Sequence, residues 1–521
     1  MIFSSLNRYL PLLPLFLLLH ACTTLGPDYR EPEVQWLSDW QPDLYGLAGN
    51  QEQQTQFDLH FWWRLFDDPV LNGLIELAKQ NNLSLRIAGL RILESRAALG
   101  IATSFRYPQV QQATGAIDYV RNQQYGGSAA EKHQSLVNYQ AGFNLGWELD
   151  FWGRFRRGIE SADAAFFASI DNQQDVQVLL SAQVADLYFA YYTTLERIAI
   201  ARSNAAIQKR SYEITERRYQ SGQESELDLQ QAKTQYLATL STIPTLEVTA
   251  TQLRNALCTL LGRAPGDLPE IGDTARALPT VDPIVLQGIP ARLLMRRPDV
   301  RAAAWQVAVQ SAQIGIAEAQ LYPAISLLGT IGWSGNTLGG SPNTGTLAVG
   351  PSFIWDLFNY GRIKNNVRIQ DALLQQTIEN FQDRVLQAAR EIDDAAVSVV
   401  KTREQKRILS DSVQAAERSL KLANTLFREG YADFQRVLDA QRALAAQSER
   451  EVINQGDHIS AVISFYKALG GGWLGPTADT LMPESIRRTM ETRSDWGDLL
   501  EAPLPNPSDP SPSDAEAEIY E

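Results

Sequence analysis

Few side chains in this sequence are of types that do chemistry, and their spacing fits no catalytic pattern. The histidines occur in unrelated settings, at His20, His60, His133 and His458. No metal-ligand spacing, nucleophile elbow, dinucleotide loop or phosphate loop is present. The glycine triplet at 470–472 follows a helical pattern instead of a strand, so it predicts a helix end. We therefore expect neither catalysis nor a bound cofactor or metal.

Cys22 is the one residue whose position indicates a specific modification. It follows Arg8 and an apolar run at residues 9–19, which is too short to cross a bilayer and is typical of a signal peptide. The run ends in Leu-His-Ala-Cys, which resembles the lipobox of bacterial lipoproteins. This resemblance implies cleavage after residue 21, a diacylglycerol thioether on Cys22 and an N-acyl chain. The next residue, Thr23, favours sorting to the outer membrane. The alternative is an incidental cysteine after an ordinary signal peptide.

Composition excludes several other classes of protein. Apolar residues make up 44% of the 521 residues and charged residues 20%, enough for a large core. A net charge of -14 argues against a nucleic-acid partner. With two cysteines there is no disulfide framework, and Cys258, in an apolar stretch, is interpreted as a small core residue. The acidic, proline-rich tail at 474–521 is predicted to be largely disordered.

The sequence contains two copies of one unit. The segment from Trp147 to Arg154 returns at Trp355–Arg362, an offset of 208 residues, and Gly222 returns at Gly430 with the same offset. Upstream, Tyr-Pro at 107–108 returns at 322–323, an offset of 215. The extra residues of the first copy therefore fall between these two motifs, where we expect an exposed loop.

Alternating apolar and polar residues between the two motifs predict a β-hairpin in each copy. The hairpins are expected at about 108–150 and 323–357, with loops near 122–135 and 334–346. In the second copy, the alternation makes Ile325–Trp333 one apolar face and Leu347–Leu357 another. Each chain thus supplies four strands whose pattern suits a membrane barrel with a wet interior.

Long helices follow the hairpins. Residues 159–221 and 362–429 contain neither glycine nor proline, and these runs of 63 and 68 residues would span about 95 and 100 Å as single helices. Two or three shorter helices in each run are the alternative. Apolar residues three and four apart predict close packing. Gly222 and Gly430, each followed by another helical stretch, predict tight turns far from the strands.

Four strands cannot close a barrel, which needs about eight to enclose even its own side chains. An open sheet edge in hydrocarbon leaves backbone groups without partners. We therefore expect other copies of the chain to complete the sheet, and three copies, giving twelve strands, leave room for a lumen.

The sequence resembles the outer-membrane factors of tripartite efflux systems, the TolC-like and OprM-like family, in its lipoprotein (NodT-like) branch. The resemblance covers about residues 22–473. It is carried, in order, by Cys22, Gly26-Pro27-Asp28-Tyr29, Trp63-Arg64, Asp68-Pro69, Asn82-Leu83, Leu85-Arg86, Arg297-Pro298-Asp299-Val300-Arg301, both Gly-Arg pairs and Leu438-Asp439-Ala440-Gln441-Arg442.

This resemblance implies an α+β membrane protein that forms a homotrimer. Three chains would share a twelve-stranded transmembrane β-barrel, four strands from each, above a long periplasmic α-helical barrel. The expected role is the outer-membrane exit duct of a tripartite efflux pump in a Gram-negative bacterium. It would passively conduct drugs or other small toxic molecules delivered by a periplasmic adaptor and an inner-membrane transporter of the resistance-nodulation-division type.

The expected organisation has six parts. They are a signal peptide at 1–21, an extended and equatorial segment at 22–75, repeat 1 at 76–265, an equatorial linker at 266–290, repeat 2 at 291–473 and the tail at 474–521.

The resemblance also implies a periplasmic gate near the second helix turn. Asp439 matches a position of the family's aspartate ring, where three copies would form a negative constriction. Gln435 and Arg436 depart from the family pattern. Arg436 either softens the charge of the ring or pairs with Asp228 of the first copy. An ordinary exposed acid is the alternative for Asp439.

Two further groups of residues are site candidates. The turns at Gly222 and Gly430 are candidates for docking the adaptor, although the backbone alone could require these glycines. Interfacial aromatics near the periplasmic rim, or packing at the strand-to-helix junction, are the two interpretations of Trp147, Trp152, Trp355 and Tyr360.

The sequence is also compatible with functions other than drug efflux. One is a coiled-coil lipoprotein that spans the periplasm without a pore, which the two hairpins argue against. Protein secretion and metal-ion efflux rank below drug efflux among export functions.

Overall fold

The computed structural model describes residues 23–37, 44–47, 58–123, 133–281, 294–336 and 343–505. The predicted signal peptide, Cys22 and His20 lie outside the described residues. So do most of both hairpin loops, residues 282–290 of the linker and the tail beyond 505.

Long helices dominate the described residues, which also contain one four-stranded sheet. The helices are α1 Pro69–Asn81, α2 Leu83–Ser104, α3 Arg154–Gln220, α4 Glu226–Leu260, α5 Pro298–Ala319, α6 Arg362–Arg428, α7 Phe434–Ala468, α8 Ala478–Leu481 and α9 Glu484–Arg493. The strands are β1 Val110–Gln123, β2 His133–Leu149, β3 Ala324–Gly335 and β4 Asn343–Ile354. Short 3-10 helices lie at Leu44–Gly46, Leu59–Phe66 and Gly497–Leu500.

The sequence duplication is a duplication of structure. Helices α3 and α6 are both 67 residues long and begin 208 residues apart. Helices α4 and α7 are both 35 residues long with the same offset. Helices α2 and α5 are both 22 residues long and 215 apart. Each repeat is therefore a short helix, a hairpin, a long helix and a returning helix.

Each long run is one helix, not two or three shorter ones. At 67 residues, α3 and α6 each extend about 100 Å. Both start after a glycine in the left-handed conformation, Gly153 and Gly361, with φ of 73° and 83°. Asp150 satisfies the start of α3 by accepting from the backbone N–H of Phe155 at 3.1 Å and of Arg156 at 2.8 Å. No helix in the described parts of the chain has the length and apolarity needed to cross a membrane.

The strands form one antiparallel sheet in the order β1-β2-β3-β4. Each pairs with its neighbour in sequence, so β1 and β4 are the two edges. The β3–β4 register pairs Ile325 with Phe353 and Ile331 with Leu347, which puts the two predicted apolar faces on the same side. Strand β4 ends at Ile354, so the alternation that continues to Leu357 lies past the strand.

A core rich in aromatic side chains surrounds the middle of α3. Trp62 and Tyr466 stack at 5.8 Å between ring centroids, and Phe66 lies 4.6 Å from Phe189. The described part of the linker belongs to this core, since Leu268 is buried within it. The described parts of the N-terminal segment and of the linker therefore pack against the long helix α3.

The tail prediction is wrong for residues 474–505. Helices α8 and α9 occur there, and Met490 and Leu500 are buried against Ile92 and Phe166. Arg96 on α2 donates to the carbonyls of Leu499 at 3.0 Å and Ala502 at 2.8 Å, and also to that of Pro503. The average composition of this segment is acidic and rich in proline, which predicts disorder. The segment also contains a few apolar residues, and their burial offsets the conformational entropy lost when it becomes ordered.

Candidate functional site

The two faces of the sheet have opposite chemistry. Rows of paired residues such as Phe143–Ile331–Leu347 make one face apolar. Leu347, Val349 and Phe353 are 75%, 71% and 75% exposed. Such a surface is expected in contact with lipid, because large apolar patches are rare on protein surfaces that face water.

The other face is polar. Asn144 accepts a hydrogen bond from Thr330 at 2.9 Å, and Gln140 donates to Asp118 at 3.3 Å. Glycines lie among these residues, as at the paired positions Gly142 and Gly332. Polar and very small side chains suit a water-filled interior.

The edges of the sheet are open in a single chain. Strands β1 and β4 each pair on one side only, with β2 and β3 respectively. An unsatisfied backbone group in hydrocarbon costs several kcal/mol, so both edges require partners. Four strands are too few to supply them by closure within one chain.

Aromatic residues fix the junction between strands and helices in both repeats. Trp147 donates to the carbonyl of Arg106 at 3.3 Å, and Trp355 donates to that of Leu321 at 3.0 Å. These two bonds occupy equivalent places in the repeats and tie the end of a hairpin to the helix before it.

The next aromatic pair behaves differently in the two repeats. Trp152 donates to the carbonyl of Pro323 at 2.8 Å and stacks on Tyr322 at 4.6 Å, which links repeat 1 to repeat 2. Its counterpart Tyr360 is 100% exposed, with φ of 50°. The junction positions of all four aromatics are compatible with both interpretations given above.

The segment after Cys22 lies against this junction. Leu25 donates its N–H to the carbonyl of Trp152 at 3.2 Å. Arg157, with 4% of its side chain exposed, donates to the carbonyls of Leu25 and Gly26 and pairs with Asp28 at 2.7 Å. No sequence pattern indicated this role for Arg157. The described start of the chain, from residue 23, is therefore held at the strand-to-helix junction by Leu25 and Asp28.

The helix turns at the opposite end have matching hydrogen bonds. After α3, Gln223 donates to the carbonyl of Arg218 at 2.8 Å, and after α6, Tyr431 donates to that of Leu426 at 2.8 Å. The turn glycine of each, Gly222 or Gly430, has φ near 80° (76° and 81°), and a Cβ there would meet nothing within 4 Å. Backbone conformation, and not close packing, requires glycine here.

The four gate candidates lie in the first two turns of α4 and α7, near these glycines. Asp439 accepts from Gln435 at 3.0 Å and pairs with Arg442 at 3.3 Å, with 59% of its side chain exposed. Arg442, which the sequence did not single out as a gate residue, also donates to Gln235 of α4 at 2.7 Å.

The proposed pair of Arg436 and Asp228 is absent within a subunit. Asp228 accepts from the hydroxyl of its helix cap Ser225 at 2.6 Å, and no ion pair to Arg436 occurs in the described ranges. The backbone N–H of Arg436 donates to the side chain of Asp433, the N-cap of α7, at 3.3 Å. In the single chain, Asp228 and Asp433 therefore each bond to a residue at the start of their own helix.

The described residues include no group of three histidine, cysteine or acidic side chains placed to hold a metal ion. Cys258 is a buried free thiol, 1% exposed.

Comparison with known proteins agrees with this architecture. The sequence matches the family described as "Outer membrane efflux protein" over residues 74–263 and 289–471. It is 29% identical to the pyoverdine export outer membrane protein OpmQ of Pseudomonas putida, covering 90% of this chain and 98% of that protein. It is 30% identical to the cation efflux system protein CusC of Escherichia coli, covering 88% and 97%.

Solved structures give the same result. The outer-membrane channel OprN superposes with a TM-score of 0.78 at 31% identity, over 86% of this chain and 99% of that chain. A crystal structure of CusC gives 0.74 at 27% identity, over 86% and 100%. The four strands of each chain are thus its share of a common barrel. The chain belongs to the outer membrane efflux protein family and serves as an exit duct of an efflux system in the outer membrane of a Gram-negative bacterium.

Proposed function

We propose that the chain works as a homotrimer, anchored by acyl chains on Cys22, that passively conducts small toxic molecules. A periplasmic adaptor docks at the helix turns around Gly222 and Gly430, and the adaptor connects the duct to an inner-membrane transporter of the resistance-nodulation-division type. The duct carries out no catalysis and binds no metal or cofactor of its own.

The observation that carries this proposal is the sheet with two open edges and one apolar face, continued by two helices of 67 residues. A sheet of this kind needs sister chains in a membrane, and helices of this length reach about 100 Å away from it. Relatives at similar identity are named for pyoverdine export, cation efflux and toluene efflux. Small solutes as cargo are compatible with these names.

Adaptor docking is tested by photo-cross-linking in cells. Tyr431, which follows Gly430 and is 82% exposed, is replaced by a photoreactive amino acid. Ile408, 65% exposed and about 30 Å back along α6 from the turn, is the matched control. The adaptor should cross-link at 431 and much less at 408. Equal yields at both positions, or none at 431, would contradict docking at the turns.

The gate is tested by single-channel recording of Asp439→Ala and Arg436→Ala. Removing the carboxylate should raise the closed-state current and lower the preference for cations, since a ring of like charges concentrates counter-ions. Removing Arg436 should act in the opposite direction on ion preference. Unchanged closed-state conductance in both variants would remove these residues from the gate.

The lipid anchor is tested by labelling with radioactive palmitate. The wild type should incorporate label and Cys22→Ser should not, while both remain free to form the barrel. Equal labelling of the two proteins would show that Cys22 is not the acylated residue.

A further inference from the structure

The two repeats of the chain meet at one interface, which we call the joint. Because the chain is duplicated, each side of the joint has an equivalent surface in the other repeat, and these two equivalent surfaces are exposed. Within the chain, α3 of repeat 1 packs against α5 of repeat 2. By the offsets of 208 and 215, the counterpart of α3 is α6 and the counterpart of α5 is α2. We infer that α6 of one chain packs against α2 of the next in the same way, with Arg86 of one subunit bound to Glu379 and Gln382 of its neighbour. This inference rests on the homotrimer of the proposed function.

The joint within the chain is held by a buried ion pair. Arg301 on α5 donates through Nε to Asp171 of α3 at 3.1 Å, and it also donates to Gln174. The side chain of Asp171 is 1% exposed. A charge so deeply buried is tolerated only with its partner present.

The counterparts of all three residues have matching chemistry. Arg86 corresponds to Arg301, Glu379 to Asp171 and Gln382 to Gln174. Among the described residues of one chain, Arg86 bonds to the carbonyl of Gln80 and the side chain of Asn81, and its Nε is buried with no hydrogen-bond partner there. Glu379 lies exposed on α6. Donor and acceptors are thus both present, on opposite sides of the chain.

The exposed counterparts of the joint have the composition expected of an interface between subunits. Side chains in the joint are buried, while their counterparts on α2 and α6 are large, apolar and exposed. The pairs are Ala302 at 5% and Ile87 at 51%, Ser161 at 7% and Ile369 at 56%, and Val178 at 3% and Leu386 at 51%. Larger apolar residues on the free faces would bury more area between subunits than the joint buries within one.

Aromatic residues at the strand-to-helix junction also form a buried pair within the chain and have exposed counterparts. Trp152 stacks on Tyr322 within the chain, and their counterparts Tyr360 and Tyr107 are 100% and 67% exposed. The joint then predicts Tyr360 of one subunit against Tyr107 of the next. A ring pair there would cover two aromatics that nothing covers in the single chain.

The sheet registers extend the inference to the barrel. Phe143, which pairs with Ala113, and Pro351, which pairs with Leu327, are 208 residues apart. Ala113 of β1 therefore corresponds to Leu327 of β3. Applying the β2–β3 register to β4 and the neighbouring β1 places Phe353 opposite Gly115, with both residues on the apolar face. A shift by one residue would put the apolar face of one strand beside the polar face of the other.

A pair of cysteines tests the joint. Gln313 of α5 donates to Ser161 of α3 at 2.9 Å, and the counterparts are Ala98 and Ile369. Ala98→Cys with Ile369→Cys should form a covalent link between chains on mild oxidation or with a short bismaleimide, giving dimer and trimer bands on denaturing gels. Ser161→Cys with Gln313→Cys should link within one chain and leave the mass unchanged. Native Cys258 is buried and does not compete.

Ala98→Cys with Leu386→Cys is the negative control. Leu386 lies on the same exposed face of α6 but about 25 Å along the helix from residue 369, too far for a short linker. Native mass measurement, run in parallel, separates the two levels of the inference. Trimers without a link between 98 and 369, or linked equally between 98 and 386, would overturn the joint but leave the duct intact. A monomer in mild detergent would overturn the homotrimer itself.

Charge reversal provides a second readout. Arg86→Glu and Glu379→Arg should each lower the temperature at which trimers dissociate, and the double variant should recover most of that loss. Single variants as stable as the wild type, or a double variant that dissociates at as low a temperature as the single variants, would contradict the predicted ion pair.

Discussion

Replacing Arg301 by methionine should weaken the joint between the two halves of the chain. Methionine fills similar space without the charge, so the main effect is to leave Asp171 buried, at 1% side-chain exposure, without its cation. Burial already raises the pKa of Asp171, while Arg301 opposes that shift. Without Arg301 the pKa of Asp171 should rise further, because the cation that opposes the effect of burial is gone.

The expected cost is about 3–5 kcal/mol, the usual penalty for removing one partner of a buried ion pair. Unfolding entropy is about 2.1 cal/mol/K per residue, so a chain of this length loses about 1 kcal/mol of stability per degree near its Tm. Arg301→Met should therefore lower the Tm by about 3–5 °C. Adding Asp171→Leu should restore most of the loss, because two apolar side chains can replace a buried pair at little cost.

The assay is thermal unfolding of the protein in detergent, followed by tryptophan fluorescence for the wild type, both single variants and the double variant. Measuring at pH 5 and pH 8 adds a check, since protonating Asp171 should reduce the defect of Arg301→Met at the lower pH. Additive single effects, with no recovery in the double variant, would refute the role given to this pair.

Local contacts at Gly430, Asp175 and Arg96 can each be tested by a single substitution. Gly430→Ala should cost about 1–2 kcal/mol because φ is 81°, and Gly430→Asn less, both measured as the loss in Tm; equal effects would contradict a backbone cause. Burial, with Asp299 adding repulsion, raises the pKa of Asp175 to about 6 from 3.8, so the wild type loses stability as pH rises through that interval. Asp175→Asn cannot ionise at this position, and its Tm relative to the wild type should rise between pH 4 and pH 7; a difference that stays the same across this range would contradict the prediction. Arg96→Ala should increase proteolysis near residues 499–503 about ten-fold or more, as charged hydrogen bonds of ~1.5–3 kcal/mol are lost, and unchanged cleavage would show that Arg96 does not hold the segment.

Much of the architecture could be predicted because the pattern occurs twice. The repeat of Trp147 at Trp355 located both strand-to-helix junctions, and Gly222 and Gly430 located both turns. The alternation of apolar and polar residues with a period of two predicted which residues lie on the same face of the sheet. Strand register is then constrained, because a shift by one residue would move the apolar side chains to the opposite face. The structure adds the pairing of β2 with β3, which joins the two copies into one sheet.

Other features depend on contacts that no local pattern reports. The burial of Arg157 under the N-terminal segment joins residues more than a hundred positions apart. The ordering of residues 474–505 depends on a few apolar side chains and on Arg96, and average composition hides both. The equivalence of Arg86 and Arg301, 215 residues apart, was not recognised from the sequence, because its meaning depends on the contacts that Arg301 makes with α3.

The most direct test of the duct is current through purified protein in a planar lipid bilayer. Trimers of the wild type and of Asp439→Ala should both insert and give discrete current steps, larger in the variant, and protein dissociated by heat beforehand should give none. Intact trimers of both proteins that insert into the bilayer yet carry no current above a detergent blank, at any applied voltage, would contradict the account of this chain as a channel.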